Sequence, residues 1–399
     1  MMIQSQKRLS NLELLRVLCI VAIIADHFIG QNSLAVHISL PESFFYILLT
    51  SLSRVGCSVF VIISAWFSVD MSFRFRKILH IWLTVAMFSL PFLVWALTHP
   101  GFSEEQMQML AYPVEERPLW FAGYFIVLMG LSPALNMILR EGSRKLTEYI
   151  LFFFGILMTG YCTVTARQGF FSSDIWPMIF LYLLTGYWKK YREIPSLSGA
   201  RRCFCITFLF LIGGRVLCHF LPAGIAVSVL KRYMEAYRTR MQTLPNLLMA
   251  YGLFFAFYHL KIKQSLTINR LAGLSLGVYC FHQLPGWYPY LWDGILRASY
   301  HAKNLPGVQR ALYTVTGIAA TWIMGNIIEY IRSRVSVLLI ERRHWFGQLC
   351  RYADHLVNGE DGSLSHRDRI WIRWFVLAVL LWFMITPVFF SSQMYNLFQ

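Results

Sequence analysis

Long apolar stretches alternate with short polar, mostly basic, punctuation along almost the whole chain. Runs long enough to cross about 30 Å of hydrocarbon occupy positions 12–30, 44–69, 78–98, 120–139, 146–164, 174–188, 203–220, 245–260, 268–284, 311–331 and 370–389. Eleven such runs predict an all-α protein: a polytopic transmembrane helical bundle of about ten core spans plus one extra C-terminal span. The sixth and ninth runs are short and read as tilted or partly re-entrant. No internal repeat or low-complexity tract is visible. The expected organisation is a transmembrane domain over 1–340, a polar cytoplasmic stretch over 341–369, and a final span with a short tail over 370–399.

Composition agrees. Hydrophobic residues make up 57% of the 399 positions and charged residues 14%, where a soluble domain carries about a quarter charged. So few charges cannot cover a water-facing surface, which excludes disorder, coiled coil and a soluble enzyme core. A net charge of +16 would suggest nucleic acid in a soluble protein. Here the Lys and Arg lie between apolar runs, so membrane lipids, not nucleic acid, are the expected partner.

The basic residues also orient the chain. With the N-terminus in the cytoplasm, 23 of the 36 Lys and Arg fall on inner loops and nine on outer ones, the positive-inside arrangement. The outer exceptions include Lys231, Arg232, Arg238 and Arg240, clustered between the seventh and eighth runs. They read either as an amphipathic segment on lipid headgroups or as an electropositive landing place for an anionic glycan or lipid phosphate. The eight Cys show no paired metal-ligand spacing and read as small core residues. No metal site is indicated. The first run contains Arg16, Asp26 and His27 and lacks a small-residue cleavage site, so it does not read as a cleavable signal peptide.

Ionisable side chains at membrane depth are the informative ones, because each is costly unless it meets a partner or a polar cavity. Arg16 and His27 are eleven positions apart, so they share one helix face about 16 Å apart along the axis. Glu13 stands three residues before Arg16 and can pair with it. With the N-terminus inside, Arg16 lies near the cytoplasmic boundary and His27 in the outer half. An Arg there can hold the phosphates of a cytoplasmic donor such as an acyl-CoA. A His in a cavity can take a proton from an acceptor hydroxyl. Equally, Arg16 can snorkel to inner headgroups and His27 can bond to a neighbouring helix. Asp26 points away from His27 on a helix and is not expected to orient it.

Leu15-Arg16 followed after ten residues by His27 resembles the Arg-x10-His signature of the acyltransferase 3 family of membrane acyltransferases. Further elements follow in order. Val59 to Phe67, with Ser64-Ala65, resembles that family's second-span segment, which usually ends in Ser-Gly. Phe73-Arg74-Phe75-Arg76-Lys77-Ile78 resembles its basic cluster. Pro118-Leu119-Trp120-Phe121 resembles its His/Pro-Leu-Trp-Phe element. Ser275 to His282, with Tyr279, is similar to its Ser-x3-Tyr-x2-His element. The resemblance covers about residues 10–335. Ala65 and His80 depart from it, standing where the family usually has Gly and Pro.

The resemblance implies about ten core helices and transfer of an acyl group, commonly acetyl, from cytoplasmic acyl-CoA to a hydroxyl. The usual acceptors are surface glycans: capsule, exopolysaccharide, lipopolysaccharide or peptidoglycan. It implies that Arg16 and His27 are essential, that acetyl-CoA is a co-substrate rather than a bound cofactor, and that the enzyme sits in a bacterial plasma membrane.

Other positions carry two readings each. Arg74, Arg76 and Lys77 are positive-inside residues or a grip on CoA phosphates. Trp120 is an interfacial aromatic or lines an acceptor groove. Ser275, Tyr279 and His282 share one helix face as a polar seam or as part of the site. His80, His219, His259 and His301 read as structural. No GxSxG motif or Ser–His–Asp arrangement is legible. The sequence therefore reads as a membrane O-acetyltransferase of a surface polysaccharide or its lipid-linked precursor. The rivals are a transporter or flippase, which should show repeat symmetry, and a glycan polymerase or ligase, which normally needs a larger outer loop.

Overall fold

The computed structural model describes residues 8–35, 39–99, 102–114, 119–169 and 171–358, together with Ile370 and Arg373. Among them every regular element is helical and there is no strand. In chain order the helices are α1 (Ser10–Gln31), α2 (Leu40–Thr50), α3 (Ser53–Ser68), α4 (Phe75–Leu97), α5 (Glu104–Ala111), α6 (Trp120–Glu141), α7 (Arg144–Phe154), α8 (Tyr161–Thr165) and α9 (Ile175–Tyr191). They continue as α10 (Leu197–Phe220), α11 (Ile225–Thr239), α12 (Leu244–Tyr258), α13 (Leu266–Gly273), α14 (Ser275–Gln283), α15 (Trp287–Pro289), α16 (Ala298–Asn304), α17 (Gly307–Ser336) and α18 (His344–Asn358).

Six helical stretches among the described residues are long and apolar enough to cross a membrane: Pro41–Ser68, Phe75–Leu97, Trp120–Glu141, Arg144–Thr165, Leu197–Phe220 and Gly307–Glu341. Each coincides with an expected run. The first expected run is α1, 22 residues or about 33 Å long. The runs at 174–188 and 245–260 are α9 and α12, with 17 and 15 residues. The run at 268–284 is two short helices, α13 and α14, parted at Leu274. The run at 370–389 lies outside the described residues except for Ile370 and Arg373.

Local sequence explains several boundaries. Ser39 and Glu42 form a reciprocal capping box at the start of α2, with Pro41 in the first turn. Ser143 and Ser196 cap α7 and α10 through their hydroxyls. Pro91 and Pro133 lie inside α4 and α6, where transmembrane helices tolerate them.

By its contacts the chain divides into two compact units. One comprises Met1–Asp70, Ala134–Ser275 and Ile295–Ile323. At its centre α3 packs against α1, α9, α11 and α12, and α10 packs against α11 and α12. Val59, Val61, Ile62, Ile63 and Ala65 are all fully buried, so the middle of α3, where its sequence is most continuously apolar, is enclosed by its neighbours. Gly56 lets α1 approach closely, since a Cβ there would lie 3.2 Å from the Cys19 carbonyl oxygen.

The other unit comprises Met71–Pro133, Leu276–Gly294 and Met324–Gln399. In it α4 packs against α5 and α18. Leu79 and Leu83 form a buried cluster with Phe346, Leu349 and Cys350. The last three of these residues lie within the stretch 341–369. Phe346, Leu349 and Cys350 recur at helical spacing and fold 344–358 into an amphipathic helix against α4; positions 359–369 lie outside the described residues. Asn358 completes the contact, accepting from the Phe73 amide and donating to its carbonyl, both at 3.3 Å.

Candidate active site

The N-terminal end of α1 is pinned by side chains before its first turn is complete. Ser10 donates to Asn269 Oδ1 at 3.0 Å and accepts from the Ser265 amide at 2.9 Å. Asn11 Nδ2 donates to the carbonyls of Phe257, Tyr258 and Leu260 at 2.9, 3.0 and 3.2 Å. Those carbonyls end or follow α12, where the helix supplies no partners of its own. Arg8 adds a bond to the Asn269 carbonyl at 2.7 Å.

One turn along, Arg16 Nη1 lies 3.3 Å from both carboxylate oxygens of Glu13. Glu13 is only 4% exposed, so this pair is largely buried. The Nε of Arg16 is buried without a hydrogen-bond partner. A charged donor with an open valence at this depth suits an anion or another strong acceptor.

Toward the C-terminal end of α1, His27 is partly exposed. The charge of Arg54, in the first turn of α3, acts on its imidazole. Arg54 itself is paired with Asp174, which precedes α9, at 2.7 Å. Asp26 turns to other partners, as expected for adjacent positions on a helix. Its carboxylate receives Arg238 Nη1 at 2.7 Å and a hydrogen bond from Ser53. Arg238 also grips Glu235 with Nε at 3.0 Å and Nη2 at 2.6 Å. Burial works to raise the Glu235 carboxyl, but this two-point contact outweighs it and holds the group below its ordinary range. A third cation, Arg215 of α10, donates to the Ile47 carbonyl and to the hydroxyls of Ser51 and Thr50 at 2.9, 2.7 and 3.0 Å.

The basic cluster of α11 therefore divides. Lys231 and Arg232 are exposed on α11. Arg238 is neither a headgroup contact nor a vacant landing place, but a clamp between α11 and α1.

Ser275, the first residue of α14, belongs to the same unit as α1; it is 4% exposed and its hydroxyl has no hydrogen-bond partner. Tyr279, His282 and Trp120 belong to the other unit. There the Phe121 amide donates to Tyr279 Oη at 3.4 Å, tying the start of α6, which Trp120 opens, to α14. The Tyr279 and His282 rings lie 6.1 Å apart. His282 is fully buried, and its Nδ1 is 2.7 Å from the Val278 carbonyl, so Nδ1 carries the proton. Pro118 lies outside the described residues.

Of the basic cluster at the head of α4, Arg76 is paired with Glu341 at 3.1 Å and lies 6.0 Å from the centre of the Phe346 ring. Lys77 is exposed, and Arg74 takes the N-cap position of α4. The Phe75 amide donates to Asp354 of α18 at 2.5 Å. His80 lies 3.4 Å from Glu341. Ala65, at the other departure from the family pattern, is fully buried.

Sequence reasoning singled out Arg16 and His27 but missed Asp174, Glu235 and Ser53, which pair with the charged groups of their unit, and, in the other unit, Glu341 as the partner of Arg76. Arg54 and Arg215 were visible as cations inside or at the edge of apolar runs. Their partners are distant in sequence and unmarked by any motif.

Comparison with family models matches an acyltransferase domain over residues 9–326. No curated protein and no solved structure matches.

Proposed function

Because the chain belongs to this acyltransferase family, we propose that it transfers an acetyl group from cytoplasmic acyl-CoA to a hydroxyl of a surface polysaccharide or its lipid-linked precursor. The expected setting is a bacterial plasma membrane with the N-terminus inside. The observation that carries this reading is on α1. One helix presents Arg16, held by buried Glu13, and His27, partly exposed three turns further out on the same side. In this reading α1 crosses the membrane and carries an anion-binding group toward one face and a base toward the other.

In this reading the guanidinium of Arg16 holds the donor, its free Nε taking an acceptor atom that Glu13 does not fill. Arg74, Arg76 and Lys77 form a second contact for donor phosphates at the cytoplasmic side. His27 removes the proton from the acceptor hydroxyl as the oxygen attacks the thioester carbonyl. The carbon–sulfur bond breaks, and the departing CoA thiolate takes the proton from the imidazolium. Trp120, Ser275, Tyr279 and His282 are assigned to shaping the acceptor side.

The test is a deletion strain complemented with wild type, His27→Ala or Arg16→Ala at matched expression. Ester-linked acetyl on purified surface glycan is counted by proton NMR before and after mild alkali. Acetyl that disappears on deletion and returns with wild type but with neither variant supports the reading. Acetyl unchanged in every strain removes it.

A further inference from the structure

Aromatic side chains crowd the C-terminal end of α4, the end away from Arg74, Arg76 and Lys77, and all of them belong to the second unit. The Trp95 ring centre lies 4.9 Å from that of Phe92, 5.3 Å from Phe102 and 5.7 Å from Tyr290. Trp287, which opens α15, meets Phe92 edge to face at 6.1 Å. Two segments distant in sequence supply these rings, and a glycine lets them close on one another. Gly286 has φ +71°, and a Cβ there would lie 2.5 Å from the Phe102 ring and 3.2 Å from that of Phe92. The cluster is not sealed. Tyr290 is 51% exposed, and Phe92, Trp95 and Trp287 are partly exposed, while Phe102 is buried.

Trp and Tyr at the end of a span commonly form an interfacial belt, with the indole N–H turned to water or headgroups. Trp287 does not fit that role, because its Nε1 is buried and has no hydrogen-bond partner. Its ring also lies 5.8 Å from that of Phe281, the neighbour of His282 on α14. The cluster is therefore continuous with a helix already assigned to the acceptor side.

Partly exposed rings around an unmet donor suit a hydroxylated ring compound. The C–H faces of a pyranose carry partial positive charge and stack on the negative faces of aromatic rings, while its oxygens accept hydrogen bonds. The charged side chains that flank the two segments most closely in sequence, Glu104, Glu105 and Asp293, are acidic. Like charge disfavours a polyanionic ligand there.

We propose that Trp95, Trp287 and Tyr290 form a stacking platform for an uncharged pyranose of the acceptor glycan. The proposal rests on reading the acceptor as a surface glycan, and adds where and by what chemistry its sugars are held. In that reading α4 carries the donor cations at one end and the acceptor rings at the other.

The test titrates oligosaccharides into the purified full chain by calorimetry. They are cut from surface glycan after mild alkali and split by ion exchange into neutral and acidic fractions. Trp95→Ala, Tyr290→Ala, Trp95→Phe, Tyr290→Phe and Trp287→Phe are compared with wild type and His27→Ala, and acetyl transfer to the same oligosaccharides is followed in parallel.

Wild type should bind the neutral fraction. Each alanine variant should weaken that binding about threefold to tenfold, the size of one lost ring contact. The acceptor KM should rise in step, while kcat and the KM for acetyl-CoA hold. Trp95→Phe and Tyr290→Phe keep a ring and should keep most of the binding. Trp287→Phe keeps a ring but loses the indole donor, and should weaken binding by a similar factor; it decides the matter if the alanine variants do not fold. Rings that serve only as a membrane belt would leave binding and acceptor KM unchanged in every folded variant, which overturns the proposal. Binding confined to the acidic fraction overturns it as well. Transfer retained by His27→Ala removes the base assignment but leaves the platform standing wherever the ring variants weaken binding. A wild type that neither binds nor acetylates either fraction removes the glycan reading and the platform together.

Discussion

Glu341 lies 3.1 Å from Arg76 although 265 positions separate them. The same carboxylate accepts from Ser336 at 3.1 Å and is only 7% exposed, while the Arg76 side chain remains 60% exposed. An acid beyond the matched family segment thus answers one of the cations assigned to the donor. A phosphate arriving there meets a guanidinium that is already engaged on one side and open on the other.

Glu341→Gln should therefore tighten CoA binding by about twofold to fivefold, the range of a solvent-exposed ion pair. Arg76→Ala should weaken binding in either background. Calorimetric titration of CoA into the purified full chain reads both. Equal affinity in wild type and all variants would take Arg76 out of the donor site.

At the centre of the proposed reaction, His27→Gln should lower acetyl transfer by about a hundredfold to ten-thousandfold, the usual contribution of a general base, with no loss of folded protein. Arg16→Lys keeps the charge but not the planar fork. It should cost about tenfold and raise the acetyl-CoA concentration needed for half-maximal transfer. A fully active His27→Gln would exclude imidazole from the proton transfer.

Gly277→Ala tests packing away from that chemistry. A Cβ at 277 would lie 2.0 Å from the Glu329 carboxylate oxygen. That carboxylate cannot swing aside freely, because Arg332 holds it at 2.6 and 2.8 Å. Overpacking of this kind costs about 1–3 kcal/mol, so thermal unfolding should occur several degrees lower. An unchanged midpoint would show that α14 and α17 separate more easily than their close contact indicates.

Acid should loosen α11. The Glu235 carboxyl is held below its ordinary range, so the folded state binds its proton more weakly than the unfolded state. The stability this contributes is complete above about pH 4.3, the ordinary glutamate value, and is lost as pH falls through the lower folded value. Hydrogen exchange, corrected for intrinsic rates, should show protection of 225–239 falling on acidification while α3 stays protected. Glu235→Gln should remove that dependence.

Six of the expected spans and the Glu13–Arg16 pair were legible because both are local. Hydropathy averages over about twenty neighbouring positions, and a pair three residues apart on a helix is fixed by helical geometry. The same locality explains what was missed. Arg238 was read as a surface cation because its partner, Asp26, lies 212 positions away. α18 was read as polar because its apolar residues fill one narrow face, and only the folded chain shows Leu79 and Leu83 opposite them. The run 268–284 read as short and tilted or partly re-entrant, but the exact break at Leu274, between α13 and α14, was not marked by Pro. Hydropathy reports what a segment is made of, not whether its helix is continuous.

The seating of α18 on α4 also decides where this chain can be cut. The family match ends at 326, inside α17 and before Glu329, Arg332, Glu341 and all of α18. A fragment trimmed to that boundary would strip the cover from Leu79 and Leu83, leave the Phe75 amide without Asp354, and remove the acid that meets Arg76. The homology boundary is thus not a folding boundary. A shortened protein that keeps the head of α4 intact must run through Asn358.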